Sequence, residues 1–268
     1  MYIPRHFLES DIPTLHDAIR RHGFATLVSM TPDGLLGTHL PLLIDPEPAP
    51  YGTLIGHIAR ANPHGRLADP SVPTMAIFQG ADGYITPSWY EAKAETGKVV
   101  PTWNYVAIHA YGPLEVFDDP ARLLDVVTRL TDRHEGERAK PWAVSDAPAD
   151  FIDGMLKGIV GIALPIVRLE GKAKLSQNRP ASEQVRVIEG LRADGRDALA
   201  DAMMAARPTG ERLPRGMPAQ DQRRVEVQDP AIPADQHEVA VRHLARAALA
   251  AGLDHGLGQR REGPHVVA

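Results

Sequence analysis

The sequence predicts a mainly β domain with flanking helices (α+β), built as an antiparallel barrel or sandwich. Three observations carry that reading. Short apolar runs that alternate with period two, separated by turn signals, fill the chain as far as Phe117. The period then changes to 3.6: Asp118 or Asp119 can cap, Pro120 takes the first helical position, and Leu123, Leu124, Val126, Val127 and Leu130 form one stripe. From Arg207 onward proline and charge replace bulky apolar side chains, so the packed domain is expected over residues 1–206.

Taken in order, the chain opens with a helix capped by Ser10 or Asp11, with Pro13 in its first turn, Ile12, Leu15 and Ile19 on its apolar face and Gly23 after its last turn. Residues 24–30 and 35–44 flank the turn Pro32-Asp33-Gly34 and read as a β-hairpin. Further strands are expected over 52–58 and 74–79, with a long one over 102–117. After the helix that begins at Pro120, a second is expected over 148–157, then a strand over 159–169, a basic segment from Gly171 to Arg179, and helices over 182–192 and 197–206. Residues 207–233, with Pro208, Pro214, Pro218, Pro230 and Pro233, read as a flexible linker. One later helix over 234–251 has only a thin apolar face of Val239, Leu244 and Leu249, and is expected to attach loosely.

Composition narrows the function classes. The 268 residues are 43% apolar, enough for one large domain or two small ones. No apolar run approaches the roughly 20 residues that cross a bilayer, and the first residues lack the basic-then-apolar pattern of a leader, so a cytoplasmic protein without a membrane partner is expected. The absence of cysteine rules out disulfides, thiolate metal sites, cysteine nucleophiles and iron–sulfur clusters. A net charge of −5 gives no whole-molecule attraction to nucleic acid.

The most informative stretch is 98–116. It places Thr102, Trp103, Asn104, Tyr105, His109 and Tyr111 where a plain core strand would carry Val, Ile and Leu. A buried polar group without a partner costs about 1–3 kcal/mol, and a bound ligand is one such partner. Polar clusters recur elsewhere at expected strand ends: Thr38-His39-Leu40-Pro41, then His57 to His64 with Arg60 and Asn62, then Thr86 to Tyr90, then Lys172 to Asn178. The turn after His57 suits a phosphate, because arginine offers a fork of donors and nearby backbone N–H groups add to it. Each cluster also has a plain structural reading: a surface ion pair for Arg60, satisfied histidines at 39, 57 and 109, packing aromatics at 89, 103 and 105, and a solvated edge strand at 172 and 174. There is no Gly-x-Ser-x-Gly, His-Glu-x-x-His, Walker loop or Gly-rich dinucleotide fingerprint, and the histidines lack metal-site spacing. No catalytic set or metal site is therefore expected.

The segments Met1 to Phe7, Thr38-His39-Leu40-Pro41-Leu42-Leu43, Gly56 to Pro63, Pro87-Ser88-Trp89-Tyr90, Val100 to Tyr105, Leu130 to Glu135 and Lys174-Leu175-Ser176-Gln177-Asn178-Arg179 resemble, in order, those of the PaiB-type FMN-binding negative transcriptional regulators. The resemblance implies an FMN-binding split β-barrel, a homodimer with two flavin sites at the subunit interface, and repression of genes for sporulation and degradative enzymes. It further implies that Arg60 and Asn62 hold the FMN phosphate and that Thr38, His39 and His57 line the cofactor pocket. Trp103, Asn104 and Tyr105 would approach the ring system or the dimer seam, and Lys174, Ser176 and Gln177 would close the site. Gly65 and Ala173 stand where the family commonly has large aromatics, which implies weaker flavin binding if either aromatic touches the ring.

Other readings stay open. The helix pair 182–192 and 197–206 has the size of a helix-turn-helix, yet Asp197 to Met204 includes no Arg, Lys, Asn or Gln to read bases, so DNA association is expected to be weak or indirect. An FMN-dependent oxidoreductase needs few protein groups, since the flavin carries the electron chemistry. Haem handling would use His39, His57 or His109 as an axial ligand.

Overall fold

Prolines and close backbone approaches at strand ends decide how the β-structure is divided. The computed structural model describes residues 1–207; Arg207 apart, the expected linker and the expected helix over 234–251 lie outside the described residues. Among the described residues ten strands form two antiparallel sheets. The strands are β1 (Leu8–Glu9), β2 (Phe24–Thr31), β3 (Gly34–Pro41), β4 (Leu43–Asp45), β5 (Thr53–Ala59), β6 (Thr74–Ile85), β7 (Thr102–Gly112), β8 (Glu115–Phe117), β9 (Ile159–Pro165) and β10 (Arg168–Lys174). A six-stranded sheet runs β1-β10-β7-β6-β2-β3 and a four-stranded sheet runs β4-β5-β9-β8. Their facing sides make a split β-barrel.

Three expected strands are each two strands in different sheets. The run 102–117 breaks at Pro113 into β7 and β8, 159–169 breaks after Pro165 into β9 and β10, and 35–44 breaks after Pro41 into β3 and β4. Strand-forming residues continue on both sides of these corners, so local pattern does not mark the switch of sheet. The corner at Gly112 is tight: a Cβ there would lie 1.9 Å from the Pro165 carbonyl oxygen. Conversely, the strand expected over 74–79 continues to Ile85 through an irregularity between Gln79 and Asp82.

Among the described residues seven α-helices flank the sheets: α1 (Ile12–Arg21), α2 (His64–Leu67), α3 (Ala92–Thr96), α4 (Pro120–Glu135), α5 (Ala149–Leu156), α6 (Ala181–Ala193) and α7 (Asp197–Ala205). Asp11 caps α1 by accepting the Thr14 N–H at 3.0 Å, and Asp119 caps α4 by accepting that of Arg122 at 2.8 Å. Three cores result. Leu27, Phe78, Ile108, Leu54 and Ile162 fill the barrel under Leu15 and Ile19 of α1. Ile85, Leu191, Leu199 and Met203 join the outer ends of β6 and β7 to α6 and α7. Phe117, Leu123, Val126, Leu130 and Leu156 cover the far face of the small sheet with α4 and α5.

A buried polar chain ties α2 to the barrel. His64 is fully enclosed, and its Nε2 is hydrogen-bonded to Ser29 Oγ at 2.8 Å and its Nδ1 to Thr38 Oγ1 at 2.9 Å. Ser29 Oγ continues to Thr74 Oγ1 at 2.6 Å, and Asn62 donates to Thr38 Oγ1 at 3.3 Å while accepting the His64 N–H at 2.9 Å. One consistent proton order runs from Asn62 through Thr38, His64 and Ser29 to Thr74, with the imidazole neutral. Among the described residues no carboxylate joins the chain.

Two predictions follow from this buried chemistry. Ser29→Ala strips a partner from both His64 and Thr74 and is expected to lower stability by about 1–3 kcal/mol, read as a lower urea midpoint with an unchanged m-value. Burial also holds His57, His64 and His109 below their ordinary value of 6.5. Below that value the unfolded chain takes up protons that the folded chain refuses, so stability is full above pH 6.5 and falls as the pH drops. Urea midpoints measured between about pH 7.5 and about pH 5 are expected to decrease, and a flat profile would contradict this.

Candidate functional site

Among the described residues, the inner face of the six-stranded sheet is covered and most of its outer face is not. Strand register assigns that outer face. Thr26 pairs with His39 and Ile77, Ile77 with His109, and His109 with Glu170, so these residues share one side across five strands. Their inward neighbours Leu27, Ala76, Phe78, Ile108 and Ala110 are in the barrel core. Phe24 at 69% and Leu35 at 74% exposure stand on the outer face near its β3 edge, and Trp103 at 52% stands near its other end.

Three polar systems lie on this face. Near the β3 edge, His39 Nδ1 is hydrogen-bonded to Thr26 Oγ1 at 3.0 Å and its ring stacks near Phe24. In the middle, His109 Nδ1 meets the Tyr111 hydroxyl at 3.2 Å, that hydroxyl donates to Glu170 at 3.3 Å, and the Arg168 guanidinium lies over the Tyr111 ring at 3.5 Å. Toward the ends of β7 and β10, Lys174 Nζ donates to Thr102 Oγ1 at 2.7 Å and to the Trp103 carbonyl. The Lys172 ammonium sits 5.1 Å from the Tyr105 ring centroid, and Trp103 meets Tyr84 edge-on at 6.4 Å. Desolvation and the neighbouring Lys172 and Arg179 charges push the Lys174 ammonium below its ordinary value.

The expected site residues therefore divide among several places. His39, Trp103, Tyr105 and Lys174 are on the outer face. Thr38 points inward to His64, since adjacent strand residues face opposite ways. Asn62 is committed to Thr38 and the His64 backbone. Arg60 donates through Nε to the Lys157 carbonyl at 2.8 Å and pairs with Asp118 at 3.7 Å, beyond the end of β5 in the other sheet. His57 lies on β5 opposite Gly161, on the side of the small sheet turned away from the barrel core, and its Nδ1 is buried without a partner among the described residues.

Asn104 also faces inward, donating to Ser176 Oγ at 2.9 Å, with its Oδ1 unpartnered among the described residues. Ser176 holds a left-handed φ of 63°, unusual for a residue with a side chain. Gln177 folds back, donating to the Ala173 carbonyl at 2.6 Å and accepting the Leu175 N–H at 2.8 Å, and so ends β10. Gly65 lies beside Ile58, Val160 and Val116, and Ala173 packs against the core beneath α6 and α7. Both positions face apolar packing rather than the outer sheet face.

Sequence reasoning missed His64 as the centre of a network, and it missed Thr26, Arg168 and Glu170 as members of the outer face. Period-two alternation carried the signal for the face, but assigning it needed the register of strands distant in the chain. Ser29 and His64 have the spacing of a nucleophile and its base, yet both are enclosed and Ser29 is held by Thr74, so the pair holds the fold together.

The outer-face donors fit a flavin mononucleotide in kind. Lys174 and Arg168, the latter paired with Glu170, bring positive charge for a phosphate, Trp103 and Tyr84 offer exposed rings, and His39 and His109 each keep Nε2 free of hydrogen bonds among the described residues. Measured along the sheet, β10 and β3 are four strand spacings apart, about 19 Å, so Lys174 and His39 of one chain do not close on one small group.

A family model described as "Putative FMN-binding domain" matches residues 1–168. An uncharacterized Aspergillus fumigatus protein is 35% identical over 236 residues, covering 71% of this chain and 90% of that one. The Bacillus subtilis protein named protease synthase and sporulation protein PAI 2 is 31% identical over 191 residues, covering 71% of this chain and 89% of that one. Among solved structures, the flavocytochrome Anf3 from Azotobacter vinelandii superposes with a TM-score of 0.48 at 14% identity, covering 88% of this chain and 94% of that one. With a family model spanning more than half its length and a 31% identical relative matched over most of both chains, this protein belongs to the PaiB-type FMN-binding family.

Proposed function

We propose that the protein is a flavin-dependent negative regulator of transcription that works as a homodimer, with FMN bound on the outer face of the six-stranded sheet. The observation that carries this reading is the face itself: a half-exposed sheet surface bearing aromatic rings and positive charge that the described elements leave largely uncovered. A second copy, turned by a two-fold axis, would bring its β3 edge with His39 toward Lys174 and Trp103 of the first and cover Phe24 and Leu35. In this arrangement Lys174 would hold the phosphate, and Trp103 and Tyr105 would pack against the ring. Asn104, Ser176 and Gln177 would fix the strand ends behind them. Bound FMN supplies one- and two-electron transfer; this chain's residues bind it, orient it and exclude water.

The regulatory effect is proposed to be indirect. α7 buries Leu199, Ala200 and Met203 and presents Asp197, Asp201 and Met204 outward, which gives it no base-reading side chain and the wrong charge for DNA. The same observation keeps flavin-dependent oxidoreduction as the second reading.

Freshly purified protein titrated with FMN is expected to quench flavin fluorescence saturably and to sediment at twice the 29.1 kDa chain mass. Phe24→Arg should yield a monomer. Lys174→Ala is expected to weaken FMN about 10–100-fold, the size of one lost charge-assisted hydrogen bond. Arg60→Ala should leave affinity within about threefold. The reverse ranking would move the phosphate site to the end of β5. A Soret band without flavin binding would replace the reading by haem handling. Bleaching of the bound flavin by NADH or NADPH would favour the oxidoreductase, and salt-sensitive, sequence-selective retardation of DNA would overturn indirect regulation.

A further inference from the structure

Behind β7, on the side away from the proposed flavin face, α1 and α7 do not close over the sheet. α1 belongs to the barrel core and α7 to the core at the outer ends of β6 and β7, and Val106 sits at the border between them. Two adjoining hollows of about 280 and 380 Å³ open there, sharing Ala18, Arg21, Val106, Ala202 and Ala205. Ala173 of β10 extends the apolar wall of the first. The methyl groups of Ala18, Ala173, Ala202 and Ala205 leave open the space that a Leu or Phe would fill, so the cleft is set by side-chain size and not by a gap in the backbone.

The charged groups at the margin are nearly all engaged. The Lys172 ammonium donates to the Tyr2 carbonyl at 3.0 Å, Asp201 pairs with Arg192 at 2.8 Å, and a Glu9 oxygen accepts the Asp11 N–H at 2.9 Å. Arg21 is the exception, with no ion pair or hydrogen bond among the described residues. His22 adds a half-buried imidazole beside Gly80, where an added Cβ would meet its Nε2 at 3.1 Å. The cleft thus combines an apolar floor, one uncommitted guanidinium and a ring that burial keeps neutral.

We propose that this cleft binds a small organic acid carrying one apolar ring, the ring lying on Val106 among the alanines and the carboxylate pairing with Arg21. Ligand pockets generally run to roughly 300–1,000 Å³, and each hollow lies at the low end of that range, where a single ring fits. An arginine fork matches a carboxylate in geometry and charge. The inference is independent of the flavin reading, because Val106 and Ile108 point to the opposite side of β7 from Tyr105, Ala107 and His109.

The test is a ¹⁹F NMR titration of the full-length protein with 4-fluorophenylacetate, with and without added FMN. Saturable 1:1 binding in the sub-millimolar to millimolar range is expected, unaffected by FMN. Ala202→Phe and the more peripheral Ala205→Leu, each checked for native circular dichroism, should weaken it at least tenfold. Arg21→Gln should also weaken 4-fluorophenylacetate about tenfold while leaving its neutral amide unchanged. Absence of saturation up to about 10 mM, competition by FMN, or undiminished binding in folded Ala202→Phe and Ala205→Leu would overturn the proposal.

Discussion

β7 is the constraint on which the molecule rests, because its two faces do incompatible work. Its inward residues join two separate cores: Ile108 and Ala110 enter the barrel, while Val106 meets the packing of α6 and α7. Its outward residues Trp103, Tyr105, His109 and Tyr111 remain half-exposed and polar. A strand can serve both demands only if its register with β6 and β10 is fixed, since a slip of one residue would exchange the faces. The ladders Ile77 to His109 and His109 to Glu170 hold that register, and the tight corner at Gly112 ends the strand.

Polar burial supplies the second layer of specificity. The His64 chain uses hydroxyls and amides without a charge to pin a one-turn helix against three strands, which keeps the cost of enclosing an imidazole low at neutral pH. Its stabilising role and its resemblance to a catalytic pair arise from the same geometry. Enclosure is what separates them, since a nucleophile must reach a substrate. The outer face is arranged in the opposite way, with donors on a surface that a ring and a partner can approach.

Much of this was legible beforehand. The caps Asp11 and Asp119, the hairpin around Gly34 and the change of period at Pro120 are local, and each appears where its residues place it. The spatial arrangement of the candidate site residues was not legible in the sequence. Thr38 and His39 are neighbours in sequence and face opposite sides of β3. Trp103, Asn104 and Tyr105 divide in the same way on β7, and Arg60 and His57 belong to the other sheet. A cluster in the chain becomes a cluster in space only when the strand holding it is straight and its residues share a parity.

By itself the sequence determined the class of fold, the order of its elements, the lack of thiol chemistry and the family to which the chain belongs, because these depend on local propensity, composition and motif order. Tertiary structure alone decided where three long runs turn from one sheet into the other, which polar residues bond to one another and which stand on the outer sheet face, and that an alanine-walled cleft lies beneath β7. Those outcomes depend on contacts between segments far apart in the chain, such as Gly112 against Pro165 or His64 between Ser29 and Thr38, and short-range periodicity carries no record of them.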